Sequence, residues 1–285
     1  MLALARAFLQ RKRIDEARLE AELLVAHALG LDRLGLFLQL ERPLEPGEVD
    51  RARDLLVRRG RREPVAYITG RREFYGRVFE VGPGVLIPRP ETELLVDLAR
   101  ERLAGRAGAR VADLGCGSGC IAVTLALELA GARVLAVDLA PEAVACTRRN
   151  AERLGAGLEA VEGDAFAELE RAVAAGGRFD LLVCNPPYVT PEEGAGLAPE
   201  VREFEPAGAL FAPPGDPDHW ARRILARARE TVAAGGTALV ELGCDQGPRA
   251  LALARAEGLT ARVHADLAGV ERVLEATVCL QGRRC

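Results

Sequence analysis

The sequence predicts an α/β fold: a mostly parallel, Rossmann-like sheet with one antiparallel strand, preceded by a small N-terminal helical domain and a β-hairpin linker. Two observations predict it. From residue 91 onward, short apolar segments typical of buried strands alternate with helical patterns, and this alternation favours a parallel sheet. The last two extended segments, 260–265 and 271–278, are too close together for a helical crossover, so they should pair antiparallel.

Changes in hydrophobic period divide the chain into three parts. Residues 1–70 have helical periodicity; Asp15 can cap one helix, and Pro46 lies near the start of another. Residues 71–87 change to extended, aromatic and β-branched residues separated by glycines, which predicts a hairpin linker. Residues 88–285 form the α/β domain.

Helices and strands follow one another through the α/β domain. In chain order we predict a helix at 94–103, a strand at 110–114, a helix at 121–130, a strand at 133–138, a helix at 141–154, a strand at 158–162, a further helix, a strand at 179–184, a helix at 218–233, a strand at 237–242 and a helix at 248–257. Residues 189–217 contain six prolines and are predicted to form a long loop. A loop of this length inside a compact domain is usually functional.

Charge is unevenly distributed along the chain, whose 285 residues suffice for two domains with cores. Residues 1–86 carry 16 basic and 13 acidic side chains, a net charge of +3, whereas the whole chain has a net charge of −4. Modules that bind nucleic acids are usually much more basic, so the charge argues against nucleic acid as a partner. The run Arg58-Arg59 and Arg61-Arg62 indicates either a solvated helix end or a docking face for an acidic protein patch.

The N-terminal segment and the cysteines indicate a cytoplasmic protein. Residues 1–10 are apolar but interrupted by Arg6, and no small-residue cleavage site follows, so we expect neither a signal peptide nor a membrane span. The seven cysteines lack C-x-x-C spacing, which favours a reducing compartment and argues against a metal site.

A glycine-rich turn follows the first strand of the α/β domain and contains Gly115, Cys116, Gly117, Ser118 and Gly119. Its spacing is G-x-G-x-G, whereas a dinucleotide pyrophosphate site has G-x-G-x-x-G. The glycines let a ligand approach the backbone closely, and Asp138 at the end of the next strand can accept hydrogen bonds from both ribose hydroxyls. Together with the motif described next, the pattern predicts S-adenosylmethionine (SAM) as the cofactor.

The most informative segment is Asn185-Pro186-Pro187-Tyr188, directly after the apolar strand at 179–184. Neither proline has an N–H to donate, so the strand should end here with free carbonyl groups at the C-terminal edge of the sheet. A carboxamide oxygen beside a fixed backbone carbonyl offers two acceptors, which suit a planar NH2 group, and Tyr188 supplies an aromatic wall. Taken alone, the four residues also fit a proline-rich loop without such a role.

With these motifs, the chain resembles the HemK/PrmC family of protein-(glutamine-N5) methyltransferases over nearly its whole length. The resemblance also rests on Gly76–Val81, Leu86–Glu93, and Glu241-Leu242-Gly243 with Gln246-Gly247. It implies a class I SAM-dependent methyltransferase fold. It further implies methyl transfer to the side-chain amide of the glutamine in the Gly-Gly-Gln motif of peptide-chain release factors, with S-adenosyl-L-homocysteine as the product.

The resemblance also implies a role for each part of the substrate site. The Asn185 side-chain oxygen and the Pro186 carbonyl would accept the two N–H bonds of the substrate amide. Glu91 and Thr92 are expected to line the site. No His, Cys or Lys is placed to act as a base, so the amide proton would leave to water. The expected substrate-binding residues are Asn185, Pro186, Pro187 and Tyr188, with Tyr188 packed on the flat amide.

The expected cofactor contacts come from three segments. The backbone from Gly115 to Gly119 would pass under the methionine end, Asp138 would hold the ribose, and Asp164 would accept a hydrogen bond from adenine N6. The remaining expected contacts are Ala165, Phe166 and Asn185. Some relatives have an aromatic residue where this chain has Ala165, so adenine stacking would fall to Phe166 or to an aliphatic wall. Residues 1–70 would recognise the release factor, the protein partner of an enzyme expected to be monomeric.

Three other functional classes share features with this sequence. Enzymes that methylate an exocyclic base amine in RNA or DNA must also bind a planar NH2 group. They normally have in addition a target-reading domain or a strongly basic groove. The glycine spacing disfavours an NAD-dependent dehydrogenase. A SAM-binding protein without catalytic activity would have no need of Asn185-Pro186-Pro187-Tyr188.

Overall fold

The computed structural model describes residues 1–279, and the chain divides into two compact units. The first comprises Met1–Arg71 together with Ala198–Phe204, so it is discontinuous in sequence. The second comprises Arg72–Leu197 and the described residues from Glu205 onward. Every helix in the described part of the chain is too short or too polar to span a lipid bilayer.

The N-terminal part of the first unit is helical, as predicted. Its helices are α1 (Leu2–Arg11), α2 (Ala17–Ala28), α3 (Arg33–Leu38), α4 (Pro46–Gly60) and α5 (Val65–Thr69). They enclose an apolar cluster that includes the fully buried side chains of Leu9 and Leu24. Pro46 occupies the first turn of α4, as the sequence indicated, and Glu45 and Glu48 form a capping box there.

The prediction that Asp15 caps a helix is wrong. Helix α2 begins one residue later than that position requires, with Glu16 before its first turn and no side-chain cap bond. A capping carboxylate is found instead at α3, where Asp32 Oδ1 accepts a hydrogen bond from the Gly35 backbone N–H over 2.6 Å.

A β-hairpin is present in the predicted segment, residues 71–87, but it is shorter than that segment. Strand β1 (Arg71–Phe74) pairs with β2 (Arg77–Glu80), and no strand follows between residue 81 and residue 89. The turn between them places Tyr75 at φ +50° and Gly76 at φ +68°, the left-handed pair that tight hairpin turns require. Pro83 cannot donate to a ladder, which explains why the extended segment beyond β2 stays unpaired.

The second unit alternates strands and helices from residue 93 onward. Its helices are α6 (Glu93–Arg102), α7 (Cys120–Glu128), α8 (Pro141–Leu154), α9 (Ala165–Gly176), α11 (Ala207–Leu210), α12 (His219–Thr231) and α13 (Gly247–Ala256); α10 (Pro199–Phe204) belongs to the first unit. Its further strands are β3 (Arg110–Leu114), β4 (Arg133–Asp138), β5 (Glu159–Glu162), β6 (Phe179–Cys184), β7 (Val232–Glu241), β8 (Thr260–Ala265) and β9 (Glu271–Thr277).

These seven strands form one sheet in the order β5-β4-β3-β6-β7-β9-β8. The strands from β3 to β7 pair in parallel, whereas β9 pairs antiparallel with both β7 and β8, so the predicted single antiparallel strand is confirmed. The chain moves outward from β3 to β4 and β5, then returns to the other side of β3 at β6. The C-terminal ends of β3 and β6 therefore flank the point where a ligand crevice is expected in an open α/β sheet.

Apolar side chains cover both faces of the sheet. Alternate residues of β3 point to opposite sides, so that Val111 joins one core cluster and Ala112 the other. The first cluster includes Leu95 of α6 and Val123 of α7, and the second includes Ile224 of α12. The result is a three-layer arrangement of helix, sheet and helix.

Residues 189–217 are more ordered than the predicted loop. They contain a 3₁₀ turn at Glu193–Gly196 and the short helices α10 and α11, and Val189 forms an isolated parallel bridge with Phe211. Such short helices have too few residues for a hydrophobic period to reveal them in the sequence.

Candidate active site

A pocket opens at the C-terminal ends of β3, β4 and β6, at the predicted crevice. The structure brings most of the predicted site residues to its wall: Gly115, Gly117, Asp138, Asp164, Ala165, Phe166, Asn185, Pro186 and Pro187. Cys116, Ser118, Gly119 and Tyr188 do not line this pocket. Neither do Glu91, which is exposed, and Thr92, which is buried behind Asn185.

The glycine loop has a backbone that only glycine adopts without strain. Gly115, Gly117 and Gly119 have φ angles of +76°, +56° and +78°. A Cβ atom built on Gly115 or Gly117 would meet open space, whereas one on Gly119 would lie 2.9 Å from the Thr147 side chain. The first two glycines therefore leave room for a ligand, and the third allows close packing of the loop against α8.

Cys116 and Ser118 contribute only their backbone to this loop. Their side chains are buried, with 5% and 2% of their surface exposed. Thr147 Oγ1 lies 3.3 Å from the Cys116 sulfur, and burial raises the pKa of that thiol well above its usual range. The thiol is therefore a neutral packing group.

Asp138 lies at the end of β4 and is held by the backbone on both carboxylate oxygens. Oδ2 accepts from the Gly117 N–H and Oδ1 from the Ala140 N–H, each over 2.9 Å. Each oxygen of a carboxylate can accept a second hydrogen bond, so the group remains able to bind hydroxyls from a ligand. The two backbone bonds fix its direction before any ligand arrives.

Asp164 and its neighbours form the far wall of the pocket. Asp164 caps α9, with Oδ1 accepting from the Phe166 and Ala167 N–H groups over 3.0 Å, and this leaves Oδ2 available. Phe166 is only 6% exposed, and the guanidinium of Arg223 lies 4.3 Å from the centre of its ring. One face of Phe166 is therefore already covered.

Trp220 is a pocket residue that sequence reasoning missed. It is the second residue of α12 and lines the pocket with Ile224, one turn farther along the helix. Its Nε1 is buried and has no hydrogen-bond partner among the described residues. The signal was present, because this is the one tryptophan of the chain and it follows the proline-rich segment.

Asn185 follows β6, and a hydrogen bond sets the direction of its carboxamide. Its Nδ2 donates to Thr92 Oγ1 over 3.1 Å, and Thr92 Oγ1 in turn donates to Glu241 Oε2 over 2.7 Å. The Asn185 Oδ1 has no partner within the described residues. The side-chain oxygen of Asn185 is therefore left for a ligand, and the next residue, Pro186, has no N–H with which to continue the strand.

Tyr188 packs behind this segment against the turn after β7. A Cβ atom on Gly243 would lie 3.0 Å from the Tyr188 ring, so the glycine allows the ring to fit. The turn is closed by Gln246, whose Oε1 accepts from the Gly243 N–H over 2.6 Å and whose Nε2 donates to the Pro217 carbonyl over 2.8 Å. Burial raises the pKa of Tyr188 to about 12, so its hydroxyl stays protonated at neutral pH.

Two carboxyl groups of the central sheet are buried, Glu241 in β7 and Asp113 in β3. Burial raises the pKa of Glu241 to about 7, although the hydrogen bond from Thr92 and the nearby Arg272 act in the opposite direction. Asp113, in β3, is fully buried, and burial raises its pKa to about 7 as well. Its Oδ2 accepts from the Ala122 N–H over 3.1 Å, and its Oδ1 has no partner in residues 1–279.

A buried carboxylate anchors the segment before α6. Glu205, 6% exposed, accepts from the Ile87 N–H over 2.9 Å and from the Arg89 guanidinium over 2.6 Å. One carboxylate thereby fixes the backbone and the side chain of the segment that leads to Thr92.

Comparison with known proteins agrees with this architecture. Residues 1–70 match the family model of the PrmC N-terminal domain, and residues 90–201 match that of the methyltransferase small domain. A crystal structure of a methyltransferase from Pyrococcus furiosus has the same fold, with a TM-score of 0.50 and 16% identity over 73% of this chain and 91% of that one.

Two curated relatives match nearly full length. The release factor glutamine methyltransferase of Geobacter sulfurreducens is 43% identical over 270 residues, which are 94% of this chain and 92% of that protein. The protein of the same name from Chlorobaculum tepidum is 46% identical over 246 residues, which are 84% and 83% of the two chains. The chain therefore belongs to the release factor glutamine methyltransferase family.

Proposed function

We propose that the protein transfers a methyl group from SAM to the side-chain amide nitrogen of the glutamine in the Gly-Gly-Gln motif of a peptide-chain release factor, leaving S-adenosyl-L-homocysteine. The observation that carries the proposal is the pair of acceptors at Asn185 and Pro186. A primary amide has two N–H groups to satisfy, and these two oxygens match them. The names of the relatives support the release factor as the substrate.

The pocket fits SAM by its own features. The open space beside Gly115 and Gly117 admits a ligand against the backbone, and Asp138 and Asp164 each offer acceptor capacity. We assign Asp138 to the ribose hydroxyls and Asp164 to the adenine amine, with Ala165 and Phe166 as the adjoining wall. When bound, SAM supplies an electrophilic methyl group on its sulfonium.

The chain's own residues orient the substrate amide. The Asn185 Oδ1 and the Pro186 carbonyl accept its two N–H bonds and turn the nitrogen toward the pocket, so positive charge that develops on the nitrogen lies against two fixed dipoles. Pro187 stiffens the backbone, and Tyr188, whose ring packs against Gly243, supports this segment from behind. Since Tyr188 keeps its proton at neutral pH, we assign it no role as a base, and the amide proton leaves to water.

Substrate recognition is assigned to residues 1–70, because none of the pocket residues comes from this part of the chain. We propose that the enzyme acts as a monomer in the cytoplasm, where release factors function. An enzyme that bound only the glutamine side chain would not need residues 1–70. Contacts with the rest of the release factor can supply the binding energy that orients the reacting group.

A labelling experiment tests the function. The purified protein is incubated with methyl-labelled SAM and with release factor, release factor whose Gly-Gly-Gln glutamine is changed to alanine, or RNA. We expect label only in the release factor that keeps its Gly-Gly-Gln glutamine. Label in RNA, or equal label in both forms of the factor, would reject the proposed substrate.

A further inference from the structure

A chain of three side chains runs from Asn185 into the interior of the protein. Asn185 follows β6, Glu241 ends the neighbouring strand β7, and Thr92 closes the 3₁₀ turn before α6. The Nδ2–Oγ1 and Oγ1–Oε2 distances are 3.1 Å and 2.7 Å. Thr92 and Glu241 are 2% and 3% exposed, so water does not compete for these bonds.

The single hydroxyl proton of Thr92 gives this chain a direction. When Glu241 is an acceptor, Thr92 must donate to it, and the lone pairs of Thr92 can then only accept a bond from Asn185. The nitrogen of Asn185 is thereby held toward Thr92, and its oxygen is left for the substrate. The reverse orientation would place an NH2 group against the N–H bonds of the substrate amide.

We propose that Thr92 and Glu241 are positioning residues that hold the Asn185 carboxamide with its oxygen toward the reacting amide. The inference rests on the proposed function, because it assumes that Asn185 binds the substrate through its oxygen. Neither residue lines the pocket, so both act through Asn185.

The protonation of Glu241 should control this orientation. A protonated Glu241 can donate to Thr92, which frees the Thr92 proton to bond the Asn185 oxygen and turn it away from the substrate. The titratable and charged groups that interact with Glu241 are Arg272 of β9, Arg89 and Glu91 before α6, Cys184 at the end of β6, Tyr188 beyond it, and Cys120 at the start of α7. Burial outweighs the two arginines and raises the pKa of Glu241 to about 7.

Two full-length variants at Thr92 test the positioning role. Thr92→Val keeps the shape of the side chain without its hydroxyl, and Thr92→Ser is the matched control that keeps the hydroxyl. On release factor we expect kcat of Thr92→Val to fall about tenfold or more with KM for SAM within about twofold of the parent, and Thr92→Ser to recover most of the loss. Normal turnover by Thr92→Val, or equal losses in both variants, would overturn the proposal.

The pH dependence of kcat distinguishes a positioning role of Glu241 from a merely structural one. The parent kcat should fall as the pH drops below about 7, the pKa of Glu241, and Glu241→Gln should lose this acid limb. An unchanged limb in Glu241→Gln would overturn the proposal even if Thr92→Val failed to fold. The Asn185→Ala variant separates this result from the proposed function. An active Asn185→Ala would reject the proposal that Asn185 and Pro186 hold the substrate amide. An inactive Asn185→Ala together with a normal Thr92→Val would reject the positioning role alone.

Discussion

The guanidinium of Arg59 lies 2.7 Å from the carboxylate of Glu200, although 141 positions separate the two residues in the chain. Arg59 is 3% exposed, and its Nε and Nη2 also donate to the two carboxylate oxygens of Glu20, so one buried cation joins α4, α2 and α10. The pair therefore fastens α10 into the first compact unit. Breaking a buried ion pair is costly because it leaves a charge without full compensation.

Removing this carboxylate should loosen α10. Glu200→Gln should lower the free energy of unfolding by about 1–2 kcal/mol, less than for a fully buried pair, because Glu200 is partly exposed and Arg59 keeps Glu20. Glu203→Gln, in the same helix but half exposed, is the matched control and should change it little. Urea unfolding measures the difference, and hydrogen exchange should quicken at residues 198–204 in Glu200→Gln alone. Equal behaviour of the two variants would contradict the prediction.

Asn185 should matter for turnover far more than for the cofactor. Asn185→Ala should abolish methyl transfer while SAM affinity stays within about tenfold, because the lost oxygen serves the substrate and the transition state. Asn185→Asp keeps an acceptor but adds a negative charge, so we expect partial activity at most. Single-turnover methylation and calorimetric SAM binding measure the two effects. Turnover by Asn185→Ala near that of the parent would contradict the proposal that Asn185 holds the substrate amide.

Asp138 should contribute to binding of SAM and of its demethylated product alike. Asp138→Ala should weaken both by about 1.5–3 kcal/mol, the usual strength of hydrogen bonds to a charged group. Part of the loss should come from the glycine loop, since Asp138 also accepts from the Gly117 N–H. Asp138→Asn, which keeps one acceptor, should lose less. Calorimetry that finds unchanged affinity in Asp138→Ala would place the ribose elsewhere.

Asp113 should make stability depend on pH. Its pKa is raised to about 7 in the folded protein, so the folded state binds the proton more tightly than the unfolded chain does. The stability that this group contributes is therefore complete at pH values below the carboxyl's ordinary pKa and is lost as the pH rises to about 7, by up to about 1.4 kcal/mol per pH unit.

The comparison with Asp113→Asn isolates this contribution. The free energy of unfolding of the parent minus that of Asp113→Asn should fall between pH 4 and pH 7, roughly the interval between the two pKa values. Other carboxyl groups, Glu241 included, are present in both proteins and cancel. Asp50→Asn, at a side chain that is 67% exposed, should show almost no such trend. A difference that is constant with pH would show that Asp113 is not buried as described.

Hydrophobic patterns within short segments predicted most strands of the sheet, because these elements depend mainly on nearby residues. The strands of the sheet contain four to ten residues, and their apolar runs carry a clear signal. The cap assigned to Asp15 failed because several polar residues precede α2 and only one position has the required geometry. The hairpin was overextended because residues beyond β2 have extended character without a partner.

Side-chain relationships between distant residues could not be predicted in this way. The run at Arg58 and Arg59 suggested either a solvated end or a docking face, but Arg59 is buried and Arg58 pairs with Glu63. The resemblance to a known family drew attention to Thr92 and Glu241 without giving them a task. Their task depends on a contact across 149 positions, which only the folded chain brings about.

The division of the first compact unit between Met1–Arg71 and Ala198–Phe204 constrains how such proteins can be recombined. A chimera that takes only its first 71 residues from a relative would place a foreign α4 surface against the Glu200 of this chain. The donor segment corresponding to 198–204 must therefore travel with the N-terminal helices, and an exchange needs two grafted pieces. By the same reasoning, changes at Arg59 and Glu200 should be tolerated best when both are taken from one parent.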